Sequence, residues 1–503
     1  MNRDKWIHTL GQRLSVGFDG YDLPNEYAEL VKRYQVGNAI LFRRNVKDYD
    51  QLGALCQRLH DLMLSETGMK PFIMIDEECG SVSRLAHVAA PTPCAMAIGA
   101  TGDEENAYRI GKIVGEELRS VGVNFNLAPV LDCSTHPDNA VMTNRCFSRD
   151  PETTARFGLR YIQGLRDAGV LACGKHFPGH GDTAVDSHLA LPVVEKSMDE
   201  VRKCELVSFS AAIRAGIDAI MSAHVVFPAM EPERIPSTVS RRVITGLLRN
   251  ELGFDGIVVS DGMEMNAVKA LFGMEEGVRR ALCAGVDVAL VCHSPAQGQA
   301  AMEHLIQSVT EGRMDEGECQ ASFDRIRRKK ESLPGPAGGR EMFGSPEQRE
   351  TARRIMDQSI RVLSAPDGRP LPRVDENTLY VGVPGLAASQ ANDFVPLDAA
   401  KRLSDALGGR CARPEDIQGA SLPSCAVVTL SRSQRMEEVL AAARALDGAG
   451  VPVIAVSMHT PRCLEALPDS VWKVGAWQHD LLSADALARF LKSQADHKED
   501  IRI

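Results

Sequence analysis

Short apolar runs organise the first two thirds of the chain, separated by stretches in which apolar residues recur every third or fourth position. The runs read SVGF (15–18), NAILF (38–42), PFIMID (71–76), NFNLAPVLD (124–132), VLACGKH (170–176), AIMSAHVV (219–226), GIVVSD (256–261) and VDVALVC (286–292). Between them, NAYRIGKIVGEELRSVG (106–122), TTARFGLRYIQGLRDAG (153–169) and VRKCELVSFSAAIRAG (201–216) carry the helical period. Strands alternating with helices imply parallel pairing, and eight such units over residues 1–330 predict an α/β fold, a closed (β/α)8 barrel of the TIM type. An open doubly wound sheet is the competing arrangement, but no glycine-rich dinucleotide fingerprint follows the first strand. Residues 331–347, ESLPGPAGGREMFGSPE, concentrate proline and glycine without apolar periodicity and predict a linker. Beyond it, TLYVGVPG (378–385), CAVVTLS (425–431), VPVIAVSMHTP (451–461) and VWKVGAW (471–477) alternate with helical patterns such as QRMEEVLAAARALDGAG (434–450). Residues 348–503 therefore predict a smaller α/β sandwich, with a structural or lid role.

Composition narrows the partners. The 503 residues carry 57 Lys plus Arg against 67 Asp plus Glu, a net charge of -10, which argues against a nucleic-acid surface or an anionic membrane. The first residues, MNRDKWIHTLGQRLSVGFDG, hold no apolar export segment, and no window approaches the roughly 18 apolar residues of a spanning helix. Thirteen cysteines without regular spacing fit a reducing compartment, so a soluble, cytoplasmic protein is expected. Three Trp and seven Tyr are little material for a long stacking cleft, which favours a small ligand over a polymer. No cofactor and no metal are expected, and oligomeric state is open.

The barrel reading says where chemistry belongs. Active sites of such barrels form at the C-terminal ends of the strands. At those ends stand Arg43 and Arg44, Asp76, Asp132, Lys175 with His176, His224, Asp261 and His293. The fifth run leads into GKHFPGHGDTAVDSH (174–188), whose glycines and proline oppose regular structure and favour an exposed loop. Within it, Asp186 stands two residues before His188. A carboxylate beside an imidazole fixes its tautomer and stabilises its protonated form, as an acid/base catalyst requires near neutral pH.

KHFPGHGDTAVDSH resembles the signature of the β-N-acetylglucosaminidase branch of glycoside hydrolase family 3. GNAILFRRN (37–45), IDEECGSVSR (75–84), NLAPVLD (126–132), NRCFS (144–148) and VVSDGMEM (258–265) resemble further family segments in the expected order, and SIRVLSAPDGRPLP (359–372) resembles, more weakly, the start of the family's second domain. The resemblance implies that Asp261 is the nucleophile attacking the anomeric carbon and that His188, oriented by Asp186, is the general acid and then the general base. It also implies that Asp76, Arg84, Arg145, Lys175 and His176 hold the hydroxyl and acetamido groups of a small carbohydrate substrate. Hydrolysis with retention is the expected reaction. Phosphate could compete with water, because a deprotonated histidine is neutral and does not repel it.

Two departures and two other readings complete the picture. Where the family commonly shows Gly-Gly-Arg after the acidic pair, this chain has Cys79, Gly80 and Ser81. A cysteine argues against a positive φ at 79, and Ser81 removes a cation from the mouth of strand three. A metal hydrolase would use His176, His180, His188, His224 and Asp261 as ligands, which requires the histidines to converge. A catalytically silent carbohydrate-binding protein would lack Asp261 or His188, and both are present.

Overall fold

Eight parallel strands close into a barrel in chain order: β1 (Leu14–Val16), β2 (Asn38–Leu41), β3 (Phe72–Ile75), β4 (Phe125–Asn126), β5 (Leu171–Phe177), β6 (Ala219–Ser222), β7 (Ile257–Gly262) and β8 (Val288–Val291). This is a computed structural model, and it describes residues 3–136, 139, 141–184, 191–335, 339–385, 397–417, 422–431 and 433–496. The strands read as unbroken apolar runs because both faces are covered. Alternate residues divide between two cores. Ile40, Phe72, Met74, Phe125, Cys173, Val259 and Leu290 fill the lumen. Ala39, Leu41, Ile73, Ala172, Val258 and Ala289 face the surrounding helices.

Three local expectations need correction. The run 124–132 pairs regularly only at Phe125–Asn126, with an isolated bridge from Val130 to Lys175. Pro129 has no N–H to give the ladder, although its carbonyl accepts from Lys175 N at 3.1 Å. The helix expected over 201–216 breaks at Cys204 (φ -127°, ψ -78°) into Met198–Lys203 and Glu205–Arg214, where buried Glu205 meets Lys196 Nζ at 2.5 Å. Strand β5 runs on to Phe177, so the glycine-rich loop starts later than its composition suggests.

The last third of the chain forms a six-stranded mixed sheet from β9 (Arg361–Ser364), β10 (Leu379–Gly382), β11 (Arg410–Ala412), β12 (Ala426–Leu430), β13 (Val453–Ser457) and β14 (Trp472–Gly475). The order is β9-β14-β13-β12-β10-β11, parallel except for β9. Val427, Ile454 and Val456 pack on one face and Val428, Val453 and Ala455 on the other, so helices cover both sides. The edge strands β9 and β11 are short and partly exposed, without the apolar runs by which the central four were read. Within the expected linker, Phe343 packs edge-on to Tyr49 of the barrel at 5.1 Å, and Gly344 N donates to Glu117 at 3.0 Å. Among the described residues no helix is long and apolar enough to cross a membrane.

Candidate active site

Strand parity carries polar side chains to the barrel mouth. Met74 faces the lumen, so the positions two and four residues on, Asp76 and Glu78, continue that face. By the same period Cys173 leads to Lys175 and Val259 to Asp261. There a cavity of about 690 Å³ opens, lined by Asp76, Glu78, Arg84, Arg145, Lys175, His176 and Asp261 among others. Six of the eight residues expected to act on the sugar thus line one cavity, together with the strand-end residues Arg43, Arg44 and His293. Asp186 and His188, the expected acid/base pair, lie outside the described residues.

A buried ion network holds one wall. Lys175 Nζ lies 2.7 Å from Asp76 Oδ1 and 2.5 Å from Glu78 Oε1, and is almost entirely buried. Arg145 forks onto the same Glu78 carboxylate through Nε and Nη2, both at 2.8 Å. Arg84 stands 3.9 Å from Asp76. Burial disfavours the charge on Glu78, but Arg145 and then Lys175 outweigh it and hold the carboxyl well below its usual range. Burial likewise opposes the Lys175 charge, and Asp76 and Glu78 reverse that effect and raise its pKa. The result is a charged, pre-oriented set of donors and acceptors suited to sugar hydroxyls. Sequence reading passed over Glu78, although its spacing of two from Asp76 on a strand-end segment was the signal.

Asp132 organises the next layer. Its Oδ2 accepts from His176 Nδ1 at 2.7 Å and from His176 N at 3.1 Å, and its Oδ1 accepts from His180 N at 2.7 Å. Burial opposes the Asp132 charge, but the charge and hydrogen bond of His176 lower its pKa overall. With its Nδ1 against Asp132, the His176 ring places Nε2 3.5 Å from Arg145 Nη2. His180 is fully buried, and burial with His176 nearby pushes it down to about 4.

Asp261 sits on the opposite wall at the end of β7. Its Oδ1 accepts from Gly262 N at 2.7 Å, and its backbone carbonyl accepts from Ser260 Oγ. His224, expected at the mouth, is instead fully buried beneath it and spans Thr238 Oγ1 (2.8 Å) and the Gly262 carbonyl (2.9 Å), which braces the Asp261 corner. Both its ring nitrogens are thereby occupied. Among the described residues no three His, Cys, Asp or Glu side chains gather as a metal site. Glu264, another residue the sequence did not single out, borders the cavity and accepts from His293 N at 3.1 Å, and burial raises its pKa.

The turn after Asp76 overturns the expectation for Cys79, whose φ is +86°. The residue completes a tight hairpin, Glu77–Cys79 with Val82–Ser83, and its thiol lies buried 3.4 Å from the Tyr161 hydroxyl. A Cβ on the next residue, Gly80, would come within 2.4 Å of Cys94 Cβ, so glycine is required there. The second sheet also reaches this region. The Trp477 carbonyl accepts from Asn144 Nδ2 at 3.1 Å, next to Arg145 in the chain.

The profile of the glycosyl hydrolase family 3 N-terminal domain matches residues 8–329. A beta-hexosaminidase of Thiobacillus denitrificans is 39% identical over 266 residues, 52% of this chain and 72% of that protein. Beta-hexosaminidase A of Pseudoalteromonas piscicida is 34% identical over 334 residues, 62% of this chain but only 56% of that relative's length. The solved structure of a glycoside hydrolase family 3 beta-N-acetylglucosaminidase from Paenibacillus sp. str. FPU-7 superposes with a TM-score of 0.87 at 34% identity, over 97% of this chain and 96% of that one.

Proposed function

The chain belongs to glycoside hydrolase family 3, and from that premise we propose that it is a retaining exo-β-N-acetylglucosaminidase. It removes terminal β-linked GlcNAc from small soluble glycosides, such as muropeptide or chitooligosaccharide fragments, in the cytoplasm. The observation that carries this reading is a single cavity with an aspartate, Asp261, facing a wall of fixed charges from Asp76, Glu78, Arg145 and Lys175. Relatives named beta-hexosaminidase support the sugar.

In the first step a carboxylate oxygen of Asp261 bonds to the anomeric carbon as the bond to the leaving oxygen breaks. His188, held by Asp186, gives its proton to that oxygen. In the second step water loses a proton to His188 and its oxygen bonds to the same carbon, which restores the Asp261 carboxylate and retains the configuration. The charged groups around Lys175 hold the hydroxyls, with His176 kept in orientation by Asp132. Because these groups are fixed before substrate arrives, little ordering remains for the reaction itself.

The test is kcat/KM on an aryl β-N-acetylglucosaminide against the matching β-glucoside and β-xyloside. A clear preference for the N-acetyl substrate is expected, and a preference for the glucoside overturns the sugar assignment. Product analysis with added phosphate belongs to the same experiment, since dominant sugar 1-phosphate would make the enzyme a phosphorylase with the same residues.

A further inference from the structure

Among the described residues lining the cavity, the sugar-holding groups leave Arg43 without an assigned part. Lys175 and Arg145 are matched by Asp76 and Glu78. Arg44 is bound by Asp19 at 2.6 Å and by the Cys292 carbonyl at 2.6 Å, and its guanidinium lies 4.4 Å from the Phe42 ring centroid. Among the described residues lining the cavity, Arg43 is the one arginine for which the structure gives no acceptor. It is half-buried in the short turn Arg43–Asn45 that ends β2. An arginine that no acceptor holds, already partly desolvated in a cleft, is a ready partner for a bidentate oxyanion.

Its surroundings keep it available. His293, at the end of β8, stacks on Phe42 with centroids 6.4 Å apart and adds a second donor on this side. Glu264, which borders the same cavity, spends one oxygen on His293 N, and burial weakens its hold on a negative charge. The groups assigned to the sugar come from elements that follow β3, β4 and β5, whereas Arg43 and His293 belong to the β2 and β8 ends, where the Arg84 guanidinium also comes within 5.8 Å of the Phe42 ring centroid.

We infer that Arg43, assisted by His293, forms an oxyanion-binding position at the β2 and β8 side of the cavity, beside the sugar-holding residues, for a carboxylate or phosphate. The inference rests on the glycosidase reading, since it takes the β3 to β5 groups to hold the sugar. The anion has two chemical sources: a carboxylate on the leaving group of the glycoside, or free phosphate near the reaction centre.

The experiment uses the full chain at low salt with two aryl β-N-acetylglucosaminides, one with a carboxylate on the ring and one with its methyl ester. The ratio of their kcat/KM values is compared between the parent and Arg43→Gln, so that the different leaving-group reactivities cancel. Loss of a charge-assisted hydrogen-bond pair predicts a ratio about tenfold or more lower in the variant, with Arg43→Lys in between. A second arm adds inorganic phosphate to the ester substrate. If phosphate sharply raises parent turnover, yields GlcNAc 1-phosphate, and does so far less in Arg43→Gln, the anion bound is phosphate. Equal ratios and equal phosphate responses in parent and variant overturn the site. No turnover of either glycoside by the parent overturns the glycosidase reading, and this inference falls with it.

Discussion

Replacing Glu78 with Gln leaves Lys175 and Arg145 facing each other with their shared counterion gone. Breaking a buried pair by removing one partner costs about 3–5 kcal/mol, so a marked fall in thermal stability is expected together with a fall in kcat/KM of about 10²-fold or more. Unchanged kinetics in a destabilised protein would confine Glu78 to a structural role. His188→Ala makes a different pattern. It should slow glycosides with poor leaving groups about 10²- to 10⁴-fold and activated aryl glycosides much less, because only the former need a proton to depart. Equal losses on all substrates would assign the loop to binding instead.

At the scale of elements, the corner after β14 meets the turn that carries Arg145. The Trp477 carbonyl accepts from Asn144, while its indole N–H donates to the Ser359 carbonyl at 2.7 Å and Gln478 Oε1 accepts from Cys94 N. The second sheet thereby fixes one edge of the cavity at the barrel mouth. Asn144→Ala removes one such bond, worth about 1 kcal/mol, and is expected to raise KM roughly fivefold with little change in kcat. A drop in melting temperature with KM unmoved would contradict this. Elements also mark how far the sequence could be read. The eight barrel strands were legible because each is buried on both faces, as the uniform burial of Phe72–Ile75 shows. Asp76, Lys175 and Asp261 were legible as polar residues closing those runs. Glu78 carried only the signal of its spacing from Asp76, since its partner Arg145 lies 67 positions away in the chain. The edge strands β9 and β11 were hidden because they lack an apolar run. The positive φ of Cys79 was not legible because it belongs to the Glu77–Ser83 hairpin, where the thiol is buried against Tyr161, 82 positions away in the chain.

For the whole molecule, Glu117 ties the barrel to the segment that leads into the second domain. Its buried Oε1 accepts from Ala90 N at 2.9 Å and from Gly344 N at 3.0 Å. Burial, with Glu77 nearby, pushes its carboxyl from 4.5 up to about 8, and burial pushes Glu77 up to about 7. The folded protein therefore keeps a proton that the unfolded chain has already released, and stability falls as pH rises from about 4.5 through about 8. Glu117→Gln keeps the acceptor oxygen and removes the titration. The melting temperature of the variant should match the parent near pH 4, exceed it progressively up to about pH 8, and stay a constant margin above it beyond. A margin independent of pH would mean that Glu117 does not titrate in this window.

Everything proposed for this enzyme depends on Asp261 forming a bond to the sugar. The direct measurement is to inactivate the protein with a slow 2-fluoro glycosyl donor, digest it, and locate the adduct by mass spectrometry. The expected result is one glycosyl ester on the peptide containing Asp261, absent in Asp261→Asn, which should also lose nearly all turnover. Inactivation without an adduct, or an adduct on Glu264 or Asp76 instead, would contradict it.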